Sequence, residues 1–186
     1  TGMYAGVEKN GSSTGEDHEY DATNIIRSEK VEMHVDGSHA YGMRAGSDLD
    51  HTEQGSGAAG MHKGENLIET RDLEMTVTGK AVGDAMLAEN GGKNTIRYDG
   101  KENATYNITG NIYSGKGSKN EIITGKGSDW VRIDGHISGN NNLIDTGAGD
   151  DFIRLSGRIE PGALYVMGGD GYDTLILVAE SVEQFK

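Results

Sequence analysis

A repeat of 22 residues in the second half of the chain constrains the fold more than any other feature. The stretch TGKGSDWVRI at 124–133 recurs as TGAGDDFIRL at 146–155 and as GGDGYDTLIL at 168–177. Two glycines, one aspartate and two apolar residues keep their register through the copies. A fixed period of this kind indicates a repeat architecture, in which each unit buries its apolar side chains against its neighbours.

The repeat continues toward the N-terminus with longer spacings. An Asn-x-Ile motif recurs at Asn24, Asn66, Asn94, Asn120 and Asn142, and the spacings between these asparagines shrink from 42 to 28, 26 and 22 residues. We expect one coil design with loops inserted into the early coils, and we expect the asparagine amides to stack as a hydrogen-bonded ladder. The apolar-x-apolar-x-Gly segment that follows each motif aligns Met33 and Met75 with Val131 as core positions.

Apolar and polar residues alternate within each unit, which is the period of a half-buried strand. Gly, Asn and Asp separate the strands and supply turns. Only 80–90 suggests a short helical turn. We predict an all-β chain, a parallel β-helix or β-roll of about six coils in a single domain of residues 1–186, with 22-residue coils in the C-terminal half and longer inserted loops in the N-terminal half. One coil buries too little to offset the ordering of its own backbone, so the coils must fold collectively.

Charge narrows the range of partners. The chain has 30 acidic and 17 basic residues and a net charge of −13. This balance argues against nucleic acid or an anionic membrane surface as the main partner, and it suits divalent cations. The chain has no cysteine, which excludes disulfides and thiolate metal sites. No apolar run approaches the ~18–20 residues that cross a bilayer, so we expect no membrane span.

The segment GGDGYDTLI at 168–176 matches the nonapeptide G-G-x-G-x-D-x-U-x, and the two earlier copies match except for a leading Thr. The sequence therefore resembles the RTX (repeats-in-toxin) calcium-binding family. Calcium prefers six to eight oxygen ligands and accepts backbone carbonyls beside carboxylates. The resemblance implies calcium held between stacked turns, about two ions for three turns, by glycine carbonyls and aspartate carboxylates. The implied ligands are Gly125, Gly127, Asp129, Gly147, Gly149, Asp151, Gly169, Gly171 and Asp173. The alternative is that Gly-x-Gly-x-Asp is only a favourable turn, in which the aspartate bonds the backbone.

The sequence also departs from the family. Thirteen residues separate successive copies, and the intervening turn at 139–142 lacks an aspartate, so we expect a metal-free opposite edge and a three-sided coil. We assign 115–119 as an earlier turn of the same stack, with Lys119 where aspartate belongs. We divide the chain into an N-terminal cap (1–23), degenerate coils with loops (24–114), calcium-binding coils (115–178) and a C-terminal cap (179–186). The degenerate part is similar to the β-helical passengers of autotransporters and adhesins.

Other residues offer weaker candidates. Trp130 and Phe152 share an outward column, where we expect them to pack on each other rather than bind a sugar ring. Arg132 and Arg154 form the next outward column, which we interpret as a solvated face. The longest insertion, 38–63, holds Asp48, Asp50, His51 and Glu53, and we interpret it as a solvated loop.

These patterns predict a non-enzymatic, calcium-binding structural or adhesive repeat module of a large secreted or surface bacterial protein of the adhesin or toxin type. Its expected partners are calcium ions and a cell-surface glycan or host receptor. The alternative is a polysaccharide-active β-helix, a lyase, an epimerase or its binding module, for which Asp145, Arg132 and Arg154 are the only acid–base set suggested. A metal-independent autotransporter-like passenger is a third interpretation.

Overall fold

The computed structural model describes residues 1–5, 22–46 and 64–178, and all regular structure in these ranges is β-strand. Every strand pairing is parallel. The strands are β1 (Met3–Ala5), β2 (Ala22–Arg27), β3 (Lys30–Ala45), β4 (Gly64–Glu69), β5 (Asp72–Ala88), β6 (Lys93–Arg97), β7 (Thr105–Thr109), β8 (Asn111–Ser114), β9 (Lys119–Ile123), β10 (Trp130–Asp134), β11 (Ile137–Gly139), β12 (Asn142–Asp145), β13 (Phe152–Ser156), β14 (Leu164–Met167) and β15 (Thr174–Leu177). The described residues therefore confirm the all-β, parallel prediction.

The strands form two sheets between which the chain alternates. The first sheet runs β1-β3-β5-β7-β10-β13-β15, with β8 and β11 attached beside it. The second sheet runs β2-β4-β6-β9-β12-β14. Neighbours in each sheet are one winding apart in sequence, an arrangement that fits a parallel β-helix or β-roll. No helix in the described ranges has the length and apolar character that crossing a bilayer would need.

Long strands in the early windings correspond to pairs of short strands in the later ones. Strand β5 pairs first with β7 and then with β8, so it contributes to two sides of the coil. Two predictions were therefore wrong. Residues 38–45 of the predicted insertion belong to β3, and the predicted helical turn at 80–90 belongs largely to β5. Residues 47–63 of that insertion, with Asp48, Asp50, His51 and Glu53, lie outside the described residues, as do most of 1–23 and all of 179–186.

The 22-residue repeat sets the register of the last coils as the sequence predicts. Trp130 lies opposite Phe152, and Phe152 lies opposite Thr174. The early register was predicted wrongly by two residues. Met75 pairs with Ile108, which pairs with Ile133, so Met75 does not share a column with Val131. The reason is the connection before the first sheet, which has two residues after β4 and seven after β6.

The core is the row of inward side chains between the sheets. Tyr106, Met75, Ile133 and Leu155 are all less than 2% exposed, and each such side chain contributes about 1.5–3 kcal/mol when buried. Leu175 continues the inward column of Ile153 but is 48% exposed, and among the described strands β15 pairs on one side only, with β13. An inward side chain is therefore fully buried only where a winding packs on each side of it. The windings consequently stabilise one another and do not fold singly.

The predicted asparagine ladder is present along the second sheet. The Nδ2 amides donate to the next Oδ1 at 3.0 Å from Asn24 to Asn66, and at 2.9 Å from Asn66 to Asn94, from Asn94 to Asn120 and from Asn120 to Asn142. Each amide also donates to a backbone carbonyl, as Asn94 does to Leu87 at 2.9 Å. The ladder ends where Leu164 lies opposite Asn142. These asparagines join successive windings and are structural.

Candidate metal-binding turns

Four turns stack at the corner where the second sheet passes into the first. They are 98–104, 124–129, 146–151 and 168–173, and we call them the corner turns. The amides of Ala148 and Asp170 donate to the carbonyls of Gly125 and Gly147, at 3.2 and 2.9 Å. Backbone hydrogen bonds therefore continue through the turns and hold them one above another.

Close stacking explains the glycines. Gly149 and Gly171 have φ values of 130° and 135°, a region that L side chains rarely adopt. A Cβ at Gly149 would lie 2.1 Å from the carbonyl oxygen of Gly127, and one at Gly171 would lie 1.9 Å from that of Gly149. These positions require glycine because the backbone of the preceding turn occupies the space of a side chain.

The three predicted aspartates form one column. Asp151 Oδ1 accepts the amide of Asp129 at 2.8 Å, and Asp173 Oδ1 accepts the amide of Asp151 at 3.1 Å. Asp129 Oδ1 accepts the amide of Ala104 at 2.6 Å in the same way. Each carboxylate thus reaches into the gap between its own turn and the preceding one, and the predicted alignment of the aspartates is confirmed.

The second oxygen of two of these carboxylates lacks a well-formed hydrogen bond. Asp129 and Asp151 are each 2% exposed, and the Oδ2 atom of each is buried without a hydrogen bond. Burial raises the pKa of Asp129, and the nearby Asp151 carboxylate adds to this rise, whereas the Ala104 amide and the nearby Thr124 hydroxyl and Gly125 amide oppose it. A buried carboxylate oxygen without a partner is costly, and a cation beside it removes that cost. The buried Oδ2 atoms of Asp129 and Asp151 are oxygen donors of the kind that calcium prefers.

The remaining ligands would have to be backbone carbonyls. The described residues contain no cluster of three or more His, Cys, Asp or Glu side chains that could hold a metal by themselves. The Gly125 and Gly147 carbonyls each accept one amide, and a carbonyl oxygen has a second lone pair. A carboxylate with several carbonyl oxygens from two turns is a set that calcium accepts.

The sequence misassigned the first turn of the stack. The turn around 115–119 connects β8 to β9 at another corner, so it does not precede 124–129. The preceding corner turn is 98–104, since a Cβ at Gly125 would lie 2.3 Å from the Gly100 carbonyl oxygen. Glu102 and Ala104 occupy its second glycine and its aspartate positions, so Gly100 was its only sequence signal.

The outward face of the first sheet carries the predicted aromatic and arginine columns. The rings of Trp130 and Phe152 stack with centroids 4.1 Å apart and planes at 12°, and Trp130 is 42% exposed. Arg132 and Arg154 both pair with Asp134. Asp145 lies in the second sheet, so the fold does not bring it together with the two arginines as an acid–base set.

Comparisons with protein-family models, with curated protein sequences and with solved structures found no match. The corner turns are therefore assigned a role from their own geometry. That geometry is a stack of glycine turns with a column of aspartates, two of which keep a buried oxygen unpaired.

Proposed function

We propose that this chain is a calcium-dependent structural module, a β-helix or β-roll of about six coils related to the RTX family. Calcium ions between the corner turns would bind the coils together where aspartates and glycine carbonyls converge. The module would serve in a large secreted or surface bacterial protein of the adhesin or toxin type, where calcium is plentiful outside the cell.

The unpaired Oδ2 atoms of Asp129 and Asp151 carry the proposal. If the aspartates only stabilised the turns, one accepted hydrogen bond each would satisfy that role, and the second oxygen would face solvent. Instead both side chains are buried to 2% exposure in a chain of net charge −13. Repulsion between the Asp129 and Asp151 carboxylates raises the free energy of the metal-free fold. Bound cations would replace this repulsion by attraction.

The Asp151→Asn substitution tests this proposal by its opposite effects in two buffers. The amide oxygen of asparagine can still accept the Asp129 amide, so the turn itself is kept. In chelator we expect the variant to be at least as stable as the wild type, because an unpaired buried charge is gone. In calcium at about 100 times its dissociation constant, we expect the wild type to be more stable by about 2.7 kcal/mol for each site lost. Thermal unfolding followed by circular dichroism in each buffer measures both.

Asp150→Asn is the matched control. Asp150 is the adjacent residue, is exposed, and accepts the Tyr172 amide at 2.9 Å through Oδ1. We expect this variant to keep the full response to calcium. Equal calcium responses of the wild type and Asp151→Asn would reject the proposed role of the corner turns.

A further inference from the structure

The length of the connection at the corner with the stacked turns changes between windings, and we call the place where it changes the step. Two residues connect β2 to β3 (28–29) and β4 to β5 (70–71), whereas seven connect β6 to β7 (98–104). The seven-residue turn 98–104 therefore extends beyond the two-residue connections 28–29 and 70–71 of the preceding windings. A cleft of about 450 Å³ lies at this step, within the range of small-molecule sites.

The step also explains the composition of the first turn. Gly127 needs to be glycine because the Glu102 carbonyl lies beneath it, 2.5 Å from where its Cβ would be. Only a two-residue corner precedes Glu102 itself, so a long side chain is accommodated there. That side chain is directed to the cleft, where Glu102 Oε2 lies 2.9 Å from Arg71 Nη1.

Arg71 is held on several sides in the cleft. Its Nη1 also lies 2.9 Å from Glu29 Oε1, and its Nη2 lies 3.0 Å from Asp72 Oδ2. These carboxylates raise the pKa of Arg71 above its ordinary value. The guanidinium thus joins three windings in one fixed position, and its side chain is 28% exposed.

Arg97, which also lines the cleft, is paired with carboxylates in a similar way. Its Nε donates to Glu69 Oε1 at 2.9 Å, and Asp99 lies 3.9 Å away. The lining has four acidic and two basic side chains, hence a net charge of −2. Such a cleft repels polyanions, and its arginines are already compensated. Its guanidinium groups are hydrogen-bond donors and its carboxylates are acceptors, and the two kinds lie side by side. This arrangement suits a ligand whose groups both donate and accept hydrogen bonds.

Tyr98 adds an aromatic wall. Its ring lies against Gly100, where an added Cβ would come within 2.1 Å of it. The ring is partly buried and packs against the hydrophobic core. Aromatic rings commonly provide the apolar contact in sites whose polar groups fix orientation. We propose that this cleft binds a neutral, hydroxyl-rich saccharide, with Tyr98 contacting a sugar ring and the Arg71 and Arg97 clusters bonding its hydroxyls.

Isothermal titration calorimetry of the full chain with calcium present tests this inference. The probes are maltohexaose, cellohexaose, mannohexaose and chitohexaose, with hexagalacturonate as the anionic comparison. We expect at least one neutral hexasaccharide to bind with a submillimolar dissociation constant and hexagalacturonate to bind at least about tenfold more weakly.

Two variants locate the binding. We expect Tyr98→Ala and Glu102→Ala each to weaken the affinity at least about tenfold. Glu102 is exposed, so its variant keeps the fold, which an unchanged melting temperature would show. The control is Tyr165→Ala, an exposed tyrosine of β14, and its affinity should match the wild type.

The inference would be overturned by any of three results: no neutral probe binding at millimolar concentration, tighter binding of hexagalacturonate, or unchanged affinity in both cleft variants. Asp151→Asn should retain saccharide binding, because the cleft precedes the aspartate-bearing turns. The two proposals can therefore fail separately.

Discussion

Replacing Asn94 by alanine is expected to lower the free energy of unfolding by about 3 kcal/mol or more. Asn94 is fully buried at the middle of the ladder. Its amide donates to Asn120 and to the Leu87 carbonyl, and its oxygen accepts from Asn66. The substitution removes three hydrogen bonds and leaves their partners buried. Chemical denaturation at constant calcium measures the change.

Asn107→Ala is the matched control for the ladder. Asn107 also lies on a strand but points outward between the buried residues Tyr106 and Ile108. Its loss is expected to cost less than about 1 kcal/mol. If the two alanine substitutions lowered the free energy of unfolding equally, the ladder would contribute no more stability than an ordinary strand position.

Gly149→Ala is expected to destabilise the chain by about 3 kcal/mol or more, even in chelator. The new methyl group would meet the Gly127 carbonyl oxygen, and the φ of 130° is itself unfavourable for alanine. Relief requires the two corner turns to separate, which breaks the backbone hydrogen bonds around them. Denaturation in chelator isolates this packing effect from calcium binding.

Gly162→Ala separates the two causes. Gly162 also has a positive φ, 75°, but nothing lies within 4 Å of the position of its Cβ. Alanine there is expected to cost only the backbone preference, about 1–2 kcal/mol. If Gly149→Ala cost no more than Gly162→Ala, the corner turns would not be stacked as closely as the structure has them.

The sequence predicted those parts of the fold in which every winding repeats the same contacts. The asparagine column was found because a ladder needs the same side chain in each winding, and Asn24 through Asn142 supply it. The register of Trp130 and Phe152 was found because no insertion interrupts the last coils. Both predictions depend on uniform spacing.

The rest could not be predicted where the windings differ in length. Met75 was placed two residues out of register because the connection before its strand has only two residues, whereas the next winding has seven. No local sequence motif indicates this difference in length. The first corner turn was missed because glycine and aspartate are required only above another long turn. Glu102 and Ala104 have no such turn beneath them, so the consensus is absent where the stack begins. The cleft at that step was missed for the same reason.

Calcium titration of chelator-stripped protein by calorimetry tests the central claim most directly. We predict saturable binding of about two ions per chain, beside the buried carboxylates of Asp129 and Asp151, together with a higher melting temperature. Absence of binding heat at millimolar calcium, with the same melting temperature in calcium and in chelator, would contradict it.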